Sequence, residues 1–182
     1  MNDYATSKTL AEKAAWEYQA NNNNPFEIVT ICPTLLLGPG IGSRNVVSEE
    51  FVTAILTDSK PIIKCASNYY ADVRDVARAH LLAIKVQDAK NRRFMVHGEE
   101  KNKHEITEFL TKKFGDKGFK PGCEQLNDDL VGPYTNNNAA SREILGVKYR
   151  PLEETLTDMV EDMLAAGRVK PEAKSWWSSL FG

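Results

Sequence analysis

The chain has 182 residues, of which 42% are hydrophobic and 26% are charged, and its formal net charge is -2 at pH 7. This length suffices for one domain, or for one domain with a small annex, and the composition is typical of a globular protein and not of a disordered or membrane-embedded one. A net charge this close to zero supplies no basic surface for nucleic acid or for an anionic membrane, so neither partner is expected.

The N-terminal stretch predicts a helix over residues 4–20, because Asp3 is a good N-cap and "YATSKTLAEKAAWEYQA" contains helix formers without Gly or Pro. Small residues on one stripe of this helix predict close packing against a sheet. The stripe comprises Tyr4, Ser7, Lys8, Ala11, Ala14, Ala15 and Tyr18. The apolar run "FEIVTICPTLLLG" that follows is typical of a buried parallel strand.

Helical and strand patterns then alternate along the chain. Helices are predicted in "NVVSEEFVTAIL", in "RDVARAHLLAIKVQ" with Asp75 as its cap, and in "KHEITEFLTKKFG" with its end at Gly115. Strands are predicted in "KPIIKC", "YYADV" and "RRFMVHG". Two further helices, "NNNAASREILG" and "PLEETLTDMVEDMLAAG", follow, the second opened by Pro151. This alternation indicates an α/β layer structure.

Three cysteines, an odd number without a C-x-x-C pair, favour a reducing compartment, and the cytoplasm is the simplest expectation. Each of Cys32, Cys65 and Cys123 is expected to be a small, partly buried thiol, with a reactive cysteine as the alternative. The histidines and cysteines do not combine in a zinc spacing, so no metal site is predicted. The apolar runs are too short to span a bilayer.

Tyr4 and Lys8 have the Y-x-x-x-K spacing, which puts both side chains on one face of a helix. A phenol with a pKa near 10 is a poor acid at neutral pH, but a neighbouring ammonium stabilises the phenolate and lowers that pKa. The tyrosine could then protonate a carbonyl oxygen as a general acid. The alternative is an ordinary aromatic residue at a helix start followed by a solvated lysine.

The turn "LLLGPGIGS" follows a strand and precedes a helix, but it does not satisfy the dinucleotide fingerprint G-x-G-x-x-G. Ser43 stands at the position of the third glycine, and Pro39 removes an amide that would face a phosphate. Asp58, about 20 residues further on, lies in a turn-like segment. An ordinary strand-to-helix loop is therefore favoured over a phosphate site.

Four segments in order resemble the extended short-chain dehydrogenase/reductase superfamily, which includes NAD-dependent epimerases and dehydratases. They are "YATSKTLAEKAAWEY", "IVTICPTLLLGPGI", "ADVRDVARAHLLAI" and "SREILGVKYRPLEETLTDMVEDML". Within the superfamily they are most similar to NADPH-dependent ketone, aldehyde and methylglyoxal reductases, and to dihydroflavonol and cinnamoyl-CoA reductases. The resemblance covers residues 1–166, and residues 167–182 form a tail beyond it.

The resemblance implies a function for several residues. Tyr4 would be the proton donor, and Lys8 would hold the nicotinamide ribose and depress the tyrosine pKa. Pro33, with the backbone of Thr34 and Leu35, would lie beside the nicotinamide. Val46, Val47 and Tyr70 match the border of a substrate pocket, with plain core packing as the alternative. The expected cofactor is NADP, with NAD not excluded, and the expected partner is a small carbonyl substrate.

In that family the Tyr/Lys helix follows a Rossmann half that carries the glycine fingerprint. The chain is therefore expected to be the C-terminal part of such an enzyme, comprising the last strands of a doubly wound parallel sheet and a small, mostly helical substrate-binding subdomain. About 150 upstream residues would be missing. The leading expectation is a reductase of a small ketone or aldehyde. The alternatives are a nucleotide-sugar epimerase or dehydratase of the same superfamily, and an inert binding or regulatory remnant.

Overall fold

The computed structural model describes residues 3–41, 47–57, 67–122 and 136–171. These residues form helices α1 (Asp3–Asn21), α2 (Val47–Leu56), α3 (Val73–Lys85), α4 (Lys103–Phe114), α5 (Ala139–Glu143) and α6 (Leu152–Ala165). The strands are β1 (Val29–Pro33), β2 (Leu35–Leu37), β3 (Ser67–Asp72), β4 (Arg92–Val96) and β5 (Glu100–Asn102). The predicted strand "KPIIKC" and most of the predicted tail lie outside the described residues.

The strands form two small sheets that meet at a fork. In the first sheet β1 runs parallel to β4, from Val29 opposite Arg92 to Pro33 opposite Val96. In the second sheet β2 is parallel to β3, and β3 is antiparallel to β5. The single strand predicted over residues 26–38 is therefore interrupted at Thr34. The residues before Thr34 pair with β4, and the residues after it pair with β3. The predicted α/β class with parallel strands is confirmed.

Two clusters of buried side chains correspond to the two sheets. In the first cluster, Phe94 and Val96 of β4 pack against Ala79 and other residues of α3. The second cluster joins β2 and β3 to helices α2, α4 and α6, with Phe51, Phe114 and Met159 among its fully buried members. The second cluster is mostly helical. The predicted division into sheet strands and a small helical subdomain stays a prediction.

The prediction of Asp75 as the cap of α3 is wrong. Asp72 is the N-cap, and its carboxylate accepts a hydrogen bond from the Arg74 amide at 2.8 Å. Asp75 instead turns inward, is only 1% exposed, and accepts hydrogen bonds from the backbone and the guanidinium of Arg150. Both aspartates satisfy the local rule for a cap, and the distant partner Arg150 selects between them.

Helix α4 begins with a capping box, in which Asn102 and Glu105 each accept a hydrogen bond from the other residue's amide. The helix ends at Gly115 as predicted, but Gly115 keeps a right-handed conformation with φ of -56°. A 3₁₀ turn over Gly115–Lys117 follows, and Gly118, with φ of 93°, supplies the left-handed residue that reverses the chain.

Helix α1 does not present its predicted stripe to the sheet. All seven stripe residues are exposed, whereas Glu12, Trp16 and Gln19 lie on the side that contacts the sheet. The ion pair between Glu12 and Arg93 and the hydrogen bonds of Gln19 orient the helix, so that polar contacts and not small-residue packing decide which face is covered. Within the described residues, no helix is long and apolar enough to cross a membrane.

Candidate functional site

Tyr4 and Lys8 lie side by side on the first turns of α1. The Lys8 ammonium is 5.9 Å from the centroid of the Tyr4 ring, and the tyrosine is 70% exposed. Ser7 donates a hydrogen bond from its hydroxyl to the Tyr4 carbonyl at 2.8 Å, so its side chain is engaged within the helix. The phenol and the ammonium therefore present one continuous polar face that a ligand could approach.

Two contacts fix the direction in which α1 crosses the first sheet. Gln19 donates a hydrogen bond to the Asn91 side chain at 2.7 Å, and Glu12 accepts one from Arg93 Nε at 2.9 Å. Asn91 precedes Arg93 in the chain, whereas Gln19, the partner of Asn91, follows Glu12, the partner of Arg93. Helix α1 therefore runs antiparallel to β4.

The direction of α1 sets the position of Tyr4 along the length of the strands. Tyr4 lies eight residues before Glu12, which is about 12 Å along a helix. The residue after β4, His97, lies four residues beyond Arg93, which is about 13 Å along a strand. Tyr4 consequently lies at the level of the carboxyl end of β4, where ligands bind in open α/β sheets, and Lys8 lies one helical turn, about 6 Å, from it.

The segment from Pro33 to Leu35 lies at the same end of the sheet. Pro33 is exposed at the last position of β1, and Leu35 begins β2 and packs against the second core cluster. Between them, the hydroxyl oxygen of Thr34 is buried and has no hydrogen-bond partner among the described residues. The segment 33–35 and Tyr4 thus lie towards the same end of the first sheet, and the roles assigned to these residues stay predictions.

The three residues predicted to border a substrate pocket have different surroundings. Val47 is the first residue of α2 and is 58% exposed. Tyr70 is 3% exposed and stacks on Phe51 with 6.2 Å between ring centroids, a position that agrees with the alternative of core packing. Val46 lies outside the described residues. The pocket assignment stays a prediction.

The glycine turn after β2 is held by α6. The Gly38 amide contacts Met159 Sδ at 3.3 Å, and the Gly40 amide donates a hydrogen bond to the Asp162 carboxylate at 3.1 Å. Gly38 has φ of +123°, and a side chain there would meet Asp72 and Val73. A phosphate at this turn would face the negative charge of Asp162, which favours the interpretation as a structural loop.

Cys32 lies on β1 next to this edge and is half-buried. Burial raises the pKa of its thiol, against the lowering effect of the nearby Arg93 guanidinium. A raised pKa keeps the sulfur protonated and weakly nucleophilic at neutral pH. This agrees with the expectation of a small, partly buried thiol.

His97 also lies at this edge, although the sequence alone had raised it only as a possible zinc ligand. It follows β4 directly and is 3% exposed, and its ring lies 4.6 Å from that of Tyr69 between centroids. The signal that could have found it is its position, because a polar residue immediately after a parallel strand lies where such sheets bind ligands.

The sequence is similar to those of known proteins. The NAD dependent epimerase/dehydratase family matches residues 1–96. The NADPH-dependent methylglyoxal reductase GRE2 of Saccharomyces cerevisiae is 32% identical over 178 residues, which cover 90% of this chain and 51% of the yeast protein. Cinnamoyl-CoA reductase 1 of Arabidopsis thaliana is 28% identical over 170 residues, covering 93% of this chain and 48% of the plant protein.

Among solved structures, Gre2 of Candida albicans in complex with NADPH superposes with a TM-score of 0.72 at 32% identity. That match covers 88% of this chain and 50% of the Candida chain. The chain thus spans about half the length of the curated relatives it matches.

Proposed function

The chain belongs to the NAD dependent epimerase/dehydratase family, and from this premise we propose that it is the proton-donating part of an NADPH-dependent carbonyl reductase. Its substrate is a small ketone or aldehyde. The proposal is supported by the similarity to a methylglyoxal reductase and to cinnamoyl-CoA reductases. It extends the predicted family resemblance, which is confirmed, to an activity.

In this reaction Tyr4 is the general acid. When bound, NADPH supplies the hydride that reduces the carbonyl carbon, while the Tyr4 hydroxyl gives its proton to the carbonyl oxygen. The Lys8 ammonium, 5.9 Å from the Tyr4 ring, stabilises the phenolate that remains. Lys8 also has three donors with which to hold the ribose hydroxyls of the cofactor.

The observation that carries the proposal is the position of Tyr4 and Lys8 along the direction of the strands. The contacts of Glu12 and Gln19 set α1 antiparallel to β4, which supports a position of the Tyr4 phenol towards the carboxyl end of β4, with Lys8 one helical turn away. This is the edge at which an open α/β sheet binds its ligand. Pro33, Thr34 and Leu35 lie at the same edge and are the residues that we assign to the nicotinamide side of the site.

We propose further that this activity requires a second, cofactor-binding half. The sequence contains no G-x-x-G-x-x-G segment, and the stripe of α1 that carries Tyr4 is uncovered in the described structure. A glycine-rich turn at a helix N-terminus is the usual support for a dinucleotide pyrophosphate. The 182 residues alone are accordingly expected to be inactive.

Complementation tests the proposal. The chain is co-expressed with the N-terminal half of the yeast methylglyoxal reductase, and NADPH oxidation is followed with methylglyoxal as substrate. Activity of the complex, absent from either half alone, supports a reductase. A soluble complex that binds NADPH but reduces no aldehyde or ketone would favour an epimerase, a dehydratase or an inert binding module.

A further inference from the structure

Lys8 stands between two groups on α1 that can attract its ammonium. It follows Tyr4 by four residues and precedes Glu12 by four, and side chains at this spacing are neighbours on a helix surface. In the proposed reaction the ammonium acts beside Tyr4, where it lies 5.9 Å from the ring centroid. A Glu12 carboxylate without another partner would attract the same ammonium in the opposite direction. The position of Lys8 therefore depends on what Glu12 binds.

In the structure Glu12 is bound to the sheet. Its Oε1 atom accepts hydrogen bonds from Arg93 Nε at 2.9 Å and from the indole nitrogen of Trp16 at 3.4 Å. The Glu12 side chain is only 24% exposed, whereas residues 7–11, which precede it on α1, are all exposed. Arg93 thus holds the carboxylate on the side of α1 that faces the sheet.

The alternation of side chains along β4 directs Arg93 towards Glu12. Phe94 and Val96 are buried in the cluster that contains α3. Successive side chains of a strand point to opposite faces of the sheet, so Arg93 and Met95 face α1. The Arg93 guanidinium also contacts Met95, with 3.5 Å between Nη1 and Sδ. The cation that binds Glu12 is therefore held on the surface of β4 by two contacts.

Removal of Arg93 would leave the Glu12 carboxylate without its cation. A largely covered charge that loses its partner is costly, so the carboxylate would pair with the nearest cation of α1 that can reach it. Lys13 follows Glu12 directly, but residues next to each other in sequence do not face each other on a helix. Lys8 is exposed and one turn away, at a spacing that does. The ammonium that serves Tyr4 is therefore the one that would replace Arg93.

We propose that Arg93 is a positioning residue for Lys8: by binding Glu12, it keeps this carboxylate from drawing the ammonium away from Tyr4. Lys8 then stays available to stabilise the phenolate and to hold the ribose hydroxyls of the cofactor. This consequence for the reaction rests on the proposed function. The competition between Arg93 and Lys8 for Glu12 does not, because it is a property of the chain itself.

Carbodiimide cross-linking of the 182-residue chain tests the competition without an enzymatic assay. An amide between Lys8 and Glu12 forms with loss of one water and blocks tryptic cleavage after Lys8, so mass spectrometry detects it in the peptide of residues 1–13. Arg93→Gln should raise its yield by about threefold or more over wild type, because Glu12 is released to its i, i+4 neighbour.

Arg92→Gln is the matched control for the cross-linking. It removes the same charge from the exposed neighbouring position on the other face of β4, and should leave the yield unchanged. Equal yields in wild type and Arg93→Gln would overturn the proposal. A wild-type chain in which most of the Lys8 is joined to Glu12 would overturn it as well, even if no variant folds.

Kinetics of the two-half complex then test the positioning of Lys8. Arg93→Gln should lower kcat and raise the KM for NADPH, each by about threefold, because Lys8 serves both Tyr4 and the ribose. Glu12→Gln should retain most of the activity, since an amide oxygen still accepts the Arg93 hydrogen bond but does not attract an ammonium. The double variant should therefore recover most of the loss caused by Arg93→Gln alone.

This recovery separates positioning from a purely structural ion pair. A pair that only stabilised the fold would give similar losses in the two single variants and no recovery in the double variant, and that result would refute the role of Arg93 in the reaction. If the complex shows no reductase activity at all, the proposed function fails, while the cross-linking yields still decide whether Arg93 and Lys8 compete for Glu12.

Discussion

Arg150 donates two hydrogen bonds to the buried carboxylate of Asp75, one from its backbone nitrogen at 2.7 Å and one from its guanidinium. These contacts connect the first turn of α3 to the residue that precedes α6 by two positions. They therefore join the helix packed on the first sheet to the helix at the centre of the second cluster.

Asp75→Ala is expected to destabilise the chain by about 2–3 kcal/mol, because it leaves the part-buried Arg150 amide without its acceptor. It also leaves the Arg150 guanidinium with only its longer ion pair to Glu154, at 3.4 Å. Urea denaturation measures the change in the free energy of unfolding. Asp88→Ala is the control: Asp88 is exposed in the 3₁₀ turn after α3, and its loss should cost less than about 0.5 kcal/mol. A loss of unfolding free energy for Asp75→Ala as small as the one expected for Asp88→Ala would show that the Asp75 contacts contribute no stability.

The lowered pKa of Asp72 predicts that the stability of the chain depends on pH. Burial raises the pKa of its carboxyl, but hydrogen bonds from the Arg74 side chain, the Arg74 amide and the Thr155 hydroxyl outweigh burial, so the pKa lies below its ordinary value. A lowered folded-state pKa contributes stability that is present above the unfolded pKa of about 3.9 and is lost as the pH falls through the folded value.

Asp72→Asn should therefore destabilise the chain at pH 7 and lose this effect in acid. The difference in unfolding free energy between wild type and variant should be largest above about pH 5 and should shrink below about pH 4. Glu105→Gln is a suitable comparison, because the pKa of Glu105 is also lowered, by the Asn102 amide and Lys101, but at an exposed position. A difference for Asp72→Asn that stays constant from pH 7 to pH 3 would contradict the assigned cause.

The main elements of the fold could be predicted from the sequence because they depend on local patterns. The apolar run before Pro33 and the helix-forming composition of α1 indicate their structures directly, although α1 begins at Asp3 itself, which was predicted to precede it as the N-cap. Strand β5, with the sequence Glu-Lys-Asn, was not predicted, because it has no apolar alternation and owes its pairing to β3. The inward turn of Asp75 depends likewise on Arg150, 75 residues away.

The candidate site could be predicted only in part. Tyr4 and Lys8 carry a recognisable spacing, so their chemistry can be inferred from residues alone. Their position along the strands depends on Glu12 and Arg93, which are 81 residues apart, and the pairing of Pro33 with Val96 depends on strand register. No local pattern contains either relationship.

The isolated chain is expected to bind NADPH weakly. The Gly40 amide is already used by Asp162, so residues 38–41, the described part of the turn after β2, offer no replacement for a pyrophosphate-binding loop. Titration followed by nicotinamide fluorescence should give no saturation at low micromolar NADPH. Submicromolar binding by the 182 residues would show that the structural interpretation of this turn is wrong.

The isolated chain is also expected to self-associate. Tyr4, Leu10 and Tyr18 on α1 and Ile84 on α3 are all more than half exposed, and within the described residues β1 pairs on one edge only, with β4. Exposed strand edges and apolar patches promote association. Size-exclusion chromatography should show oligomers that Leu10→Glu with Ile84→Glu reduces. A compact wild-type monomer with a cooperative melt would oppose the proposed second half.

Turnover of the Tyr4→Phe variant in the two-half complex shows whether Tyr4 is the proton donor. The variant should lower kcat by about a hundredfold or more with nearly unchanged NADPH affinity, because only the acid is removed. Tyr18→Phe, an exposed tyrosine on the same helix, is the matched control and should leave kcat unchanged. Normal turnover in Tyr4→Phe, in a complex whose wild type is active, would contradict the account.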